Sequence, residues 1–331
     1  MALFYLQINT LSRSAGRRAT AAAAYRAGER IRDERSGVVH NFSHRRDVLH
    51  TEIFLPQSLE RAGLAWARDR ERLWNAAEHA EKRHNARVAR EYQVVLPAEL
   101  DPAQRVAVAR GFARELAERY QVAVDLAVHE PRAGGDPRNF HAHLLTTTRE
   151  ITPAGLGAKA GLDLAPLERR RRELPDHREE YVNVRERWAT LVNEALREAQ
   201  LEARVDHRSL AAQGIDREPR PRIPWAHLRM EQRGVRSHLA ERLRADYRAR
   251  VVQRQERATA AAATPADTSQ AVAAPAAVAR DAETIRREAR EAWLRIRPRQ
   301  TAAVHDQGRD SAARAAPAAQ PGEHAEDDLA L

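Results

Sequence analysis

No cysteine occurs in the 331 residues. That excludes a disulfide framework, a thiolate metal site and a cysteine nucleophile, so any metal must be held by His, Asp or Glu. No apolar run reaches the ~18 residues that a membrane-crossing helix needs. The segment Met1 to Asn9 lacks the basic and apolar regions of a secretory leader. It is expected to be a strand, and the protein to be cytoplasmic at synthesis. Aromatic residues are scarce, and the six tyrosines are few enough to weigh one by one. Lysine is nearly absent, so arginine carries almost all of a formal net charge of +9. Such a balance favours a polyanionic partner. An Arg- and Ala-rich surface also arises from a GC-rich genome, so charge has to be joined to a site before it argues for a function.

The pattern of elements predicts an α+β fold. Ala2 to Asn9 alternates as a strand. Thr10 to Arg18 is a polar, basic loop in which Ser14, or Thr20 just beyond it, is placed to cap the next helix. Ala19 to about Glu34 is Ala-rich and helical by propensity. A strand is expected over Val48 to Leu55, a helix over Ser58 to Ala86, a strand over Val88 to Leu96 and a helix over Pro102 to Tyr120. Two further strands, Val122 to His129 and His141 to Thr148, complete a mainly antiparallel sheet flanked by helices. Tyr181 to Gln200 is a further helix. Residues 1–236 are expected to form one domain and 237–258 a helical extension. An Ala/Pro-rich linker is expected over 259–280, and a short helix with a disordered tail over 281–331.

The chemistry concentrates in His129 and the pair His141 and His143. A strand turns successive side chains to opposite faces, so His141 and His143 point the same way. Gly134, Gly135 and Pro137 predict a turn that folds the two strands together. Three imidazoles on one patch are a full protein ligand set for a divalent ion with open positions. The same residues also describe a patch of surface imidazoles near DNA. A neutral imidazole binds metal through one nitrogen, and its other N–H needs an acceptor. Glu91, in Arg90-Glu91-Tyr92-Gln93, is a candidate for that role or for proton transfer. Asp125 shares strand parity with His129 and is a weaker candidate.

Such a site suits two chemistries: hydrolysis by metal-activated water, or attack by a side chain. Tyr25 lies on the Ala-rich helix beside Arg17, Arg18 and Arg26, which are placed to hold phosphates. Taken alone, one tyrosine on such a helix is equally a core filler. A tyrosine is only ~0.1% phenolate at pH 7, so attack on phosphorus needs a base or a nearby cation. Attack would leave a phosphotyrosine ester and keep the bond energy for rejoining.

Five segments in order carry a resemblance. They are Ser12-Arg13-Ser14 before the helix of Tyr25, then Ala89 to Pro97, then His129 with Asn139-Phe140-His141-Ala142-His143-Leu144. After these come Trp188-Ala189 with Val192-Asn193, and Val205-Asp206-His207-Arg208-Ser209-Leu210 with Gln213-Gly214-Ile215. Together they resemble the MobA/MobL family of plasmid mobilisation relaxases, within the HUH endonucleases, over roughly residues 1–235. Arg229 stands where the family's last block has Gly, and no helicase or primase domain of the kind some relatives carry is expected.

The resemblance implies a palm-like sheet fold and strand-specific nicking at a plasmid transfer origin. Tyr25 would be the nucleophile, forming a 5′-phosphotyrosyl intermediate, with Glu91 near the histidines. His129, His141 and His143 would hold Mg²⁺ or Mn²⁺, with Zn²⁺ compatible with an all-imidazole set. Partners implied are single-stranded and hairpin DNA, relaxosome accessory proteins and a type IV secretion coupling protein, with passage into a recipient cell on the DNA. Arg13, Arg17, Arg18, Arg26, Arg171 and Arg208 are the expected DNA contacts, within wider basic runs at Arg169 to Arg172 and Arg217 to Arg222. The alternatives are an HUH rolling-circle replication initiator or transposase, in which the Tyr often comes after the His pair, and a non-catalytic basic DNA-binding protein.

Overall fold

The computed structural model describes residues 2–60, 62–132, 135–263 and 282–295. The chain begins with β1 (Leu6–Ser12), α1 (Ala19–Ala27), a short hairpin of β2 (Arg30–Arg32) and β3 (Val39–Asn41), and β4 (Val48–Phe54). Two one-turn helices, α2 (Gln57–Glu60) and α3 (Ala65–Arg68), lead into α4 (Arg70–Ala80), β5 (Arg87–Val95) and α5 (Pro102–Tyr120). Then come β6 (Val124–His129), β7 (His141–Thr146) and a second hairpin, β8 (Arg149–Thr152) and β9 (Gly155–Lys159). The last helices are α6 (Pro166–Arg171), α7 (His177–Glu198), α8 (Trp225–Gln232), α9 (His238–Ala263) and α10 (Ala282–Arg295).

Five strands make one antiparallel sheet in the order β1-β5-β7-β6-β4, so β7 is central. The architecture is thus the expected α+β class. One face carries Tyr92, Val94, Leu126, Val128, Ala142 and Leu144 into a core with Phe112 and Leu116 of α5 and Trp188 and Val192 of α7. The other face sets Ala89 and Leu145 against Ala22, Ala23 and Ala24 of α1 and Leu73 and Trp74 of α4. The run of alanines lets α1 lie close to the sheet. The Asp101 carboxylate accepts from the Gln104 N–H and the Gln104 side chain accepts from the Asp101 N–H, a reciprocal cap that starts α5 at Pro102.

Several expected boundaries move. The first strand is shifted to Leu6–Ser12, because its pairing with β5 runs from Leu6 opposite Val94 to Ser12 opposite Arg87. The Ala-rich helix ends at Ala27 rather than Glu34, since Gly28 takes the left-handed conformation (φ +64°) and its N–H closes on the Ala24 carbonyl. Neither Ser14 nor Thr20 caps it. Arg18 is the cap residue, the Glu78 carboxylate accepts the Ala19 N–H, and the Thr20 hydroxyl donates to Asp33. The single helix expected over Ser58 to Ala86 is three pieces. Gly63 (φ +62°) interrupts it and Asp69 caps α4 anew.

Among the described residues the chain divides into two compact units, 2–208 with 282–295, and 209–263. The division at 208 differs from the boundary expected at 236. In the first unit α10 lays Trp293 over Arg119 of α5, 3.8 Å from guanidinium carbon to ring centroid. In the second, α9 runs to Ala263, past the expected start of the linker. The rest of that linker and the expected tail beyond Arg295 lie outside the described residues. Among the described residues, no helix is long and apolar enough to cross a membrane.

Candidate metal centre and nucleophile

The hairpin of β6 and β7 sets His129 opposite His141 and Ala127 opposite His143. With period-two alternation, the three imidazoles stand on the face covered by α1. Their ring centroids are 5.2, 5.0 and 5.3 Å apart, and one nitrogen from each lies within 4.8 Å of the others.

The second nitrogen of each ring is already engaged. His129 Nε2 donates to the Arg26 carbonyl at 2.7 Å, His141 Nδ1 to the Asn139 carbonyl at 2.9 Å, and His143 Nδ1 to Glu91 Oε1 at 2.7 Å. A carbonyl or carboxylate oxygen can only accept, so these contacts set the tautomers. His129 Nδ1, His141 Nε2 and His143 Nε2 keep their lone pairs. That donor set fits one divalent ion with open positions.

Electrostatics keep the rings neutral and ready to ligate. Burial, with the neighbouring His143 and His141, pushes His129 down to about 2. Burial and His143 push His141 down to about 4. Burial also lowers His143, against the opposing pull of Glu91. Burial by itself would raise Glu91. The Arg26 charge and the His143 hydrogen bond outweigh it and hold the carboxyl well below the usual carboxylate range. Glu91 Oε1 accepts from Arg26 Nε at 2.5 Å as well as from His143, and both acid and guanidinium are buried.

Tyr25 is on the same helix as Arg26, whose carbonyl meets His129. Its hydroxyl accepts from Arg132 Nη2 at 2.5 Å. Its ring meets the edge of Phe42 at 5.2 Å and carries the Arg45 guanidinium 4.1 Å from its centroid. Tyr92 and Tyr120, by contrast, are buried in the core behind the sheet.

The expected arginines separate into two groups. Arg13 is turned inward, with its Nε donating to Glu78 at 2.9 Å and its Nη atoms to the Glu78 and Glu81 carbonyls. Arg26 is buried against Glu91. These two have structural partners that a DNA phosphate would have to displace. Arg17 is half-buried, Arg18 reaches Asp33 at 3.3 Å, and Arg171 and Arg208 are exposed beside Glu168 and Asp206. Arg169, in the same run as Arg171, is buried and donates to the Pro175 carbonyl. Asp125 does not reach the histidines. It accepts from Arg70 and from the Trp74 indole, each at 2.9 Å. Arg45, Asp47 and Arg132 were missed from sequence. The only signal was their place in charged loops flanking β4 and β6.

The fold and site define a cluster of three histidines able to hold a divalent ion, on the sheet face covered by the helix that carries Tyr25. A family model described as MobA/MobL matches residues 17–233. The mobilization protein MobL of Acidithiobacillus ferridurans is 38% identical over 78% of this chain and 71% of its own length. The probable mobilization protein MobA of Bifidobacterium longum is 32% identical over 71% of this chain and 45% of its own length. A solved structure described as the molecular basis of vancomycin resistance transfer in Staphylococcus aureus aligns with 63% of this chain and all of its own. Its TM-score is 0.52 and its identity 27%. The chain belongs to the MobA/MobL family.

Proposed function

We propose that this chain is a relaxase that nicks one DNA strand at a plasmid transfer origin and stays joined to it through Tyr25. The observation that carries the reading is three imidazoles with converging nitrogens and set tautomers, one of them bonded to the carbonyl of Arg26, the residue after Tyr25, in a chain of the MobA/MobL family. The relaxase domain is assigned to 1–236, which contains the matched span. A rolling-circle initiator or transposase is less favoured, because the family match is to mobilisation proteins and Tyr25 precedes the His pair. A non-catalytic DNA-binding protein leaves three set tautomers unexplained.

In this reading the bond from Tyr25 Oη to phosphorus forms and the bond from phosphorus to the 3′ oxygen breaks. The DNA keeps a 5′-phosphotyrosyl ester, and the departing 3′ oxygen takes up a proton as the phenol gives one to solvent. Arg132 donates to the phenolic oxygen and stabilises the charge that develops there. Glu91 fixes the His143 tautomer and is itself anchored by Arg26, so it serves the site as a positioning carboxylate. His129, His141 and His143 would hold Mg²⁺ or Mn²⁺, with Zn²⁺ also compatible. The bound cation would supply positive charge to the scissile phosphate. Single-stranded and hairpin DNA is the proposed substrate, bound by backbone contacts from exposed arginines. Accessory and coupling proteins are proposed partners of the C-terminal region.

The test is a denaturing gel of protein incubated with Mn²⁺ and labelled single-stranded fragments of the DNA flanking its gene. A band shifted covalently, present with the wild type and absent with Tyr25→Phe, is expected. An equal band from Tyr25→Phe would refute the nucleophile assignment.

A further inference from the structure

Arg45 links the nucleophile to the histidine centre. Its guanidinium lies over the Tyr25 ring, and its Nη1 donates to the Tyr25 carbonyl at 2.8 Å. The same fork holds Asp47, from Nε to Oδ1 at 2.9 Å and from Nη2 to Oδ2. The Asp47 carbonyl accepts the N–H of Glu130 at 2.9 Å, and Glu130 comes directly after His129. A chain of contacts therefore runs from the phenol ring through one arginine to the strand that carries the first ligand.

Gly28 makes the approach possible. A Cβ there would meet Val48 Cγ2 at 3.2 Å and Arg45 Cβ at 3.6 Å. A side chain there would crowd Val48 and sit at a left-handed φ of +64°, so glycine lets the helix end and the loop before β4 close on each other without strain.

The Arg45 side chain is 8% exposed and its charge is matched by Asp47. Both facts argue against a role as a phosphate contact. A phenol at a helix end can swing about its χ1 and χ2 torsions. Arg45 covers one ring face and Phe42 abuts the ring at 88°, which restricts that swing. We propose that Arg45 is a positioning residue that holds Tyr25 in line for attack. This rests on the reading of Tyr25 as nucleophile.

The experiment compares wild type, Arg45→Met, Arg45→Lys and Tyr25→Phe as the full chain, with Mn²⁺ and the labelled fragments. It measures the rate of covalent attachment, the affinity for the same fragment, the affinity for Zn²⁺ and the melting temperature. Misplacing a reacting atom by about 1 Å costs roughly 100-fold. Arg45→Met is expected to slow attachment by about that factor, with DNA and Zn²⁺ affinities changed less than about threefold. Arg45→Lys keeps the charge but not the planar fork, so it is expected to recover less than a tenth of the wild-type rate. It also serves as the test if Arg45→Met fails to fold.

Attachment by Arg45→Lys at the wild-type rate would overturn the proposal. So would a fall in DNA affinity that accounts for the whole loss of rate. Attachment by Tyr25→Phe would refute the nucleophile reading itself, whereas attachment by a folded Arg45→Met at the wild-type rate refutes the positioning role alone.

Discussion

Replacing Glu91 tests how the metal centre is supported. One oxygen of this carboxylate serves both His143 Nδ1, at 2.7 Å, and Arg26 Nε, at 2.5 Å, and both partners are nearly inaccessible to water. Glu91→Ala removes the carboxylate that faces the buried Arg26 guanidinium. Breaking a buried pair from one side costs about 3–5 kcal/mol, so the variant is expected to lose stability of that order. Glu91→Gln keeps the shape and one acceptor, but its amide presents N–H to donors where a carboxylate oxygen stood. Loss of an outer carboxylate behind a ligating histidine typically costs 10–100-fold in metal affinity, equivalent to about 1.4–2.7 kcal/mol. Zn²⁺ titration calorimetry and urea unfolding, in parallel on the two variants, separate the effects. Glu91→Gln should fold yet bind Zn²⁺ at least ~10-fold more weakly. Unchanged Zn²⁺ affinity in a folded Glu91→Gln would refute the argument that this carboxylate sets the His143 tautomer.

Three further outcomes are expected. In metal-free protein, His141 titrates at about 4 when folded against 6.5 when unfolded, so its contribution is complete above pH ~6.5 and is lost as pH falls toward 4. That amounts to roughly 3 kcal/mol, read from urea midpoints in chelator at stepped pH. A slope equal to that of His141→Asn would contradict it. Gly28→Ala adds a Cβ at φ +64° and 3.2 Å from Val48 Cγ2, and is expected to cost about 1–3 kcal/mol by thermal unfolding, with no loss at all as the contrary result. Chelation is expected to stop cleavage of labelled single-stranded DNA while binding, tracked by fluorescence anisotropy, persists. Full cleavage in excess chelator would count against the metal.

Strong local signals made part of this fold legible. The apolar positions Val106, Val108, Phe112 and Leu116 after Pro102 predicted α5 with its observed bounds, and the two strands of β6 and β7 were located to within two residues. The alanine run of α1 was read through Gly28, because propensity summed over a window hides a single left-handed residue. The hairpin of β2 and β3 escaped, since three residues a side, with one apolar residue in each, are too few to show a period. At the site, the spacing of His141 and His143 was visible because it stems from a two-residue repeat, and Glu91 stood out as an acid on a neighbouring strand, whereas the strand parity of Asp125 with His129 did not bring it to the histidines. The grip on Tyr25 by Arg45 and Arg132 was not, as it joins a helix to two loops far apart in sequence. Charge alone also failed to separate inward-turned Arg13 and Arg26 from exposed Arg171 and Arg208: all four have an acid within reach, and what differs is how far the pair is withdrawn from water.

Attack by Tyr25 on a DNA phosphate beside the histidine centre is tested most directly on the covalent complex formed with single-stranded DNA. Digesting that complex and identifying the nucleotide-bearing peptide by mass spectrometry locates the bond. A single 5′-phosphate ester on Tyr25, absent after His143→Ala, is the expected result. A modified residue elsewhere, or free 5′-phosphate ends with no attached peptide, would contradict it.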